Sequence, residues 1–105
     1  MVRKLENVEV ANTLLTKGVG LIGRKKFGSE GLLLKNTNSI HTYGVLFPID
    51  VVYLDTDFKI NRIVENLRPF HVSPIVWGNA HVLELPHGAV KKHSLEVGDQ
   101  IDLTY

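Results

Sequence analysis

Asp50 is the residue whose surroundings most clearly invite chemistry. It lies between Ile49 and Val51 in Ile49-Asp50-Val51-Val52-Tyr53-Leu54, the most apolar strand-like stretch of the chain. An ionised carboxylate among aliphatic side chains is costly unless it is hydrogen-bonded, paired or held neutral. Two arrangements would offset that cost. Asp50 accepts backbone N–H bonds, from the 36–39 loop or as the cap of a turn, or it lines a small polar pocket. His41, Thr42 and Tyr43 precede it by a short connection. Segments 40–46 and 49–54 running side by side would bring an imidazole, a hydroxyl and the carboxylate together. Such a group binds a polar ligand, and a His–Asp pair can carry a proton. Arg24 completes the candidate set of Arg24, His41, Thr42, Tyr43 and Asp50. No elbow motif marks a nucleophilic serine, so the group reads as a pocket and not a triad.

Other motifs carry less. His41, His71, His81, His87 and His93 show neither H-x-H nor HExxH spacing, and no metal is expected. Gly18-Val19-Gly20-Leu21-Ile22-Gly23 has the letters of a dinucleotide-binding turn. No clear strand leads tightly into it, and it lacks the full crossover helix and the second βα unit that such a turn serves. Arg24-Lys25-Lys26 and Lys91-Lys92-His93 are small basic clusters that solvated helix ends explain as well as phosphate contacts. Asp55-Thr56-Asp57 lacks the glycine and terminal glutamate of a calcium loop and reads as a hairpin turn.

The elements that must position these residues are mostly short strands. Residues 5–15 read as a first strand of mixed polarity; from Thr16 to Arg24 the three glycines leave a short helix capped by Thr16 or an irregular loop, and the helix is the preferred reading. Leu32-Leu33-Leu34 is a buried strand, the polar run 35–39 a loop, and 40–48 an irregular strand around Gly44. Ile49–Leu54 and Phe58–Glu65 form a hairpin, with a bulge expected where Ile63-Val64 breaks the alternation. Pro69 and Pro74 send 66–74 along an edge or loop path, and Val76–Asn79 turns. Ala80–Leu85 is a strand stopped by Pro86-His87-Gly88; 89–95 gives one or two helical turns, and 100–105 the last strand. Six to eight short strands with one or two short helices predict a mainly β fold, a compact single-domain barrel or sandwich over residues 1–105. No strand is followed by the long helix of a parallel crossover.

Composition bounds the remaining classes. The 105 residues are 44% hydrophobic and 22% charged, which excludes disorder as the main state. Twelve Lys and Arg against eleven Asp and Glu leave a net charge of +1, which argues against nucleic acid and anionic membranes as partners. The absence of cysteine removes disulfides, thiolate nucleophiles and cysteine-ligated metals. The first residues include Arg3 and Lys4 but no apolar run of signal-peptide length, so a cytoplasmic protein without a membrane segment is expected.

Several blocks together resemble the domain of unknown function 192 family, over residues 18–103. They are Gly20-Leu21-Ile22-Gly23-Arg24, Gly31-Leu32-Leu33-Leu34, Ser39-Ile40-His41-Thr42-Tyr43-Gly44-Val45, Phe47-Pro48 with the Asp50 strand, Val82-Leu83-Glu84-Leu85-Pro86-x-Gly88, and Val97-Gly98-Asp99. Ile22, Leu32 and Val45 stand where the family often has methionine. The resemblance implies a compact, mainly β domain with Asp50 in its most recognisable strand, and no settled reaction, substrate or cofactor. Some members of the family are exported, a location this chain's start does not suggest. The expected function is a small binding domain for a small molecule or peptide, with a polar pocket near His41 and Asp50. An acid–base or hydrolase-like enzyme using that pocket is the alternative, and an interaction module acting through a strand edge or apolar patch is the third. No cofactor is expected, and the sequence leaves the oligomeric state open.

Overall fold

The computed structural model describes residues 1–11, 21–23 and 26–105. Its elements are β1 (Val2–Leu5), β2 (Val8–Ala11), β3 (Gly31–Lys35), β4 (Ile49–Leu54), β5 (Ile60–Leu67), β6 (His81–Pro86), a one-turn helix α1 (Ala89–Lys92) and β7 (Gln100–Leu103). A five-stranded sheet runs β2-β3-β6-β4-β5, and β1 and β7 form a second, two-stranded sheet. Among the described residues the fold is therefore mainly β with two sheets, open and sandwich-like, not a closed barrel.

Alternation in the central strands sorts side chains onto the two faces of the large sheet. Val52 and Leu54 of β4 join Leu33, Leu83 and Leu85 on one face, where α1 (Ala89, Val90) and the small sheet (Leu5, Ile101) cover them. Ile49, Val51 and Tyr53 join Leu32, Leu34 and Val82 on the other, beneath Phe27, Val45, Phe47 and Leu67. All six residues of β4 are buried, which fits a strand that is apolar on both parities and covered on both faces.

Two sequence expectations need correction. The single first strand is two strands, because Asn7 takes a left-handed φ of 55° between them. Parallel pairing is also present: β1 pairs with β7 and β2 with β3. The partners stand at opposite ends of the chain in the first case and are separated by residues 12–30 in the second. The helix expected over 16–24 lies outside the described residues apart from Leu21–Gly23, which form a turn.

The β4–β5 hairpin matches expectation, and its irregularities flank Ile63-Val64: one separates the Ile49 and Val51 pairings, the other the Tyr53 and Leu54 pairings. The first inserts an extra residue around Asn66, whose φ is 57°. At the start of β3, Gly31 fits tightly against β6. A Cβ there would lie 2.8 Å from Leu85 Cδ2 and 3.3 Å from the Glu84 carbonyl oxygen.

Glu84 of β6 points to the face that carries Leu32 and Val51, its partners in register, and is buried with 6% of its surface exposed. Its carboxyl has no hydrogen-bond partner among the described residues, and burial raises its pKa from 4.5 to about 8. The folded state therefore holds a proton there that the unfolded chain releases, and stability falls as pH rises from about 4.5 to about 8. Glu84→Gln removes the ionisation. Urea denaturation should show the wild type losing on the order of a few kcal/mol across that interval and the variant staying nearly flat. Parallel pH profiles for the two proteins would contradict this assignment.

Candidate functional site

Asp50 is wholly buried, and its carboxylate is saturated with donors. Oδ1 accepts from the Asn66 backbone N–H and faces His87 Nδ1, both at 3.0 Å. Oδ2 accepts from the backbone N–H groups of Gly88 at 3.0 Å and Val90 at 3.1 Å. Each donor is placed by a local feature of the chain. The bulge of β5 aims the Asn66 N–H at the carboxylate, and the left-handed Gly88 (φ 96°) turns the chain from β6 into α1. Gly88 offers no capping side chain, so Asp50 caps α1 from a different strand. The expectation that Asp50 caps a turn is met at 88–90, and not by the 36–39 loop.

The partner imidazole belongs to His87, whose side chain is 45% exposed. A carboxylate accepts only, so the bond requires the proton on Nδ1, and in the neutral ring Nε2 then carries a free lone pair. His87 stands where two clefts meet, at the end of the large sheet where β4 begins and β6 finishes. A wide lobe of about 600 Å³ is walled by Phe27, Phe47, Pro48 and Pro86, with Lys26 and Ser29 at its edge. The rings of Phe27 and Phe47 lie 5.5 Å apart at 46°. A narrower lobe of about 380 Å³ is lined by Ser29, Glu30, Gly88, Ala89, Lys92 and His93. Ser29, Pro86 and His87 line both. The hydroxyl of Ser29 donates to the Gly31 carbonyl at 2.7 Å and makes no hydrogen bond with His87.

Of the residues singled out in the sequence, His41, Thr42 and Tyr43 do not join Asp50 at this point. His41 pairs with Val72 in an isolated bridge, and its Nδ1 accepts the Tyr43 N–H at 3.3 Å. It makes no hydrogen bond with Asp50. Tyr43 is half exposed, its ring 5.4 Å from His41 and 6.3 Å from Phe70. Thr42 is fully buried and structural: its hydroxyl donates to the Arg68 carbonyl and accepts the His71 N–H at 2.9 Å, pinning the 68–71 turn. Arg24 lies outside the described residues. His87, Phe27 and Phe47 were not singled out. The signal available for them was a histidine fixed between Pro86 and Gly88 after a strong strand, and Phe47-Pro48 immediately before the Asp50 strand.

Among the described residues, no three of His, Cys, Asp or Glu are placed to hold a metal ion. No helix among them is long and apolar enough to cross a membrane.

The family model of domain of unknown function 192 (DUF192), described as uncharacterized ACR, matches residues 2–103. The chain belongs to this family. A UPF0127 protein of Pyrococcus horikoshii is 26% identical to it over 98 residues, which span 90% of this chain and 84% of the relative. Among solved structures, a protein of unknown function from Novosphingobium aromaticivorans superposes with a TM-score of 0.77 at 21% identity, covering 87% of this DUF192 chain and 70% of the other. That likeness shows the fold. A Sinorhizobium meliloti protein described as a "putative transcription regulator" has a TM-score of 0.75 at 26% identity, covering 87% and 76%. DUF192 is a family of unknown function.

The network around Asp50 predicts unequal costs for its members. Asp50→Ala leaves the N–H groups of Asn66, Gly88 and Val90 without their acceptor and should cost roughly 3–5 kcal/mol in chemical denaturation. His87→Ala removes one half-exposed donor and should cost about 1 kcal/mol. Equal losses would mean that the carboxylate does not organise the three backbone segments.

Proposed function

We propose that residues 1–105 act as one small binding domain whose ligand occupies the two-lobed cleft and meets the His87 imidazole at its waist. The carrying observation is the Asp50–His87 bond. A buried carboxylate fixes an exposed ring so that Nε2 is presented in one orientation, between an apolar wall and a polar one. Binding sites of this kind are concave and mostly apolar, with a few placed polar groups, and both lobe volumes lie within their usual range of roughly 300–1,000 Å³. The reading keeps Asp50 from the expected pocket and moves the pocket from His41 to His87. A small molecule fits the lobes, and a short peptide is the second ligand class of the same reading. We place the protein in the cytoplasm on the sequence reading, with which a cysteine-free chain is compatible.

The same pair favours a second reading. An imidazole oriented by a carboxylate is the arrangement that general-base catalysis uses, so an acid–base enzyme working at Nε2 is the alternative. The exposed side chains of Tyr43, Phe70, Val72 and Trp77 support the third, an interaction surface away from the cleft.

A fragment screen followed by ¹H–¹⁵N NMR discriminates between these readings. Binders should shift the amides of Ser29, Gly88 and Ala89, and His87→Ala should weaken them at least about tenfold without unfolding the chain. Turnover of a bound fragment that His87→Ala abolishes would move the enzyme to first place. Shifts confined to residues 41–43 and 70–77 would overturn the cleft reading.

A further inference from the structure

The two lobes differ in charge and in surface. The narrow lobe is lined by Lys92, His93 and Glu30, so a lysine and a carboxylate share it. The wide lobe has one ionic side chain, Lys26, and no carboxylate among its described lining residues. Its walls are two phenylalanine rings and two prolines, flat apolar surfaces set beside one another. Glu84 belongs to the same face of the sheet as Phe27 and Phe47, and burial keeps its carboxyl protonated at neutral pH, so it places no anion beneath the lobe.

We infer that the wide lobe takes a flat apolar acid: a planar hydrocarbon body against Phe27, Phe47, Pro48 and Pro86, with a carboxylate or comparable anionic group directed to Lys26. The inference rests on the cleft being a ligand site and names the chemical class that the site selects. Apolar contact with the rings supplies the attraction without direction. The lysine ammonium supplies the preference for negative charge, and none of the described residues lining this lobe is a carboxylate. His87 Nε2, held by Asp50 as an acceptor, meets a hydroxyl or N–H donor on the same ligand where one is present.

The test uses the full chain and three probes of one shape, 3-phenylpropionate, 3-phenylpropionamide and 3-phenylpropylamine, titrated by ¹H–¹⁵N NMR at pH 7. The acid should shift Phe27, Ser29 and His87 and bind about tenfold more tightly than the amide, with the amine weaker still. Lys26→Gln, an exposed substitution that leaves the core intact, should bring acid and amide to the same affinity. Three probes binding equally at these residues, or the amine binding best, would overturn the charge preference while leaving the cleft as a ligand site. No shift at these residues with any probe would overturn the preference and the cleft reading together.

Discussion

The carboxylate of Asp50 ties three other parts of the chain to β4: the β5 bulge, the start of α1 and the His87 ring. The β5 bulge has a backbone N–H that pairing with β4 leaves over, and Asp50 takes it. The one-turn helix α1 starts at a glycine that cannot cap it, and Asp50 caps it from across the sheet. The His87 ring would rotate freely on an exposed turn, and Asp50 fixes it. A buried charge is tolerated only when its hydrogen-bonding capacity is filled, and here three backbone N–H groups and an imidazole fill it. The same bonds that make the carboxylate affordable shape the end of the sheet where the clefts lie.

The central hairpin and β6 were legible because their apolar residues and turn residues agree. Ile49–Leu54 is apolar on both parities, and Pro86 with Gly88 stops the strand before it. The unusual status of Asp50 was legible for the same reason, since a carboxylate in such a strand needs partners. Which partners was not. His41 is near in sequence, but a strand runs straight away from the residues that precede it, and His41 pairs instead with Val72. His87 is far in sequence and near in space because β6 lies antiparallel to β4, with Pro86 opposite Ile49 and Leu85 opposite Asp50. That register places the residue after Pro86 at the mouth of the site, and strand order in a sheet is a tertiary property that spacing along one chain does not encode.

The two faces of the large sheet divide the labour. One is closed by α1 and the β1–β7 pair, and its packing is what the Asp50 bonds to Gly88 and Val90 keep in place. The other carries the aromatic residues Phe27 and Phe47, which stop short of sealing the sheet's end and leave the wide lobe. Glu84 lies inside this second face as a neutral acid, a stability cost that grows with pH and that the fold tolerates at neutrality. Thr42 plays for the 68–71 turn the part Asp50 plays for 87–90, with one hydroxyl holding two backbone groups. The exposed His41–Tyr43–Phe70 cluster is therefore the outside of a structural joint, separate from the cleft.

The central claim is that Asp50 dictates the state of the His87 ring, and the ring's tautomer reads this out directly. Long-range ¹H–¹⁵N correlation of the neutral imidazole separates the two nitrogens by chemical shift. The account predicts a protonated Nδ1 and an unprotonated Nε2 in the wild type, with the preference lost in Asp50→Asn. A neutral ring protonated on Nε2, or one averaging between both tautomers as a free histidine does, would contradict it.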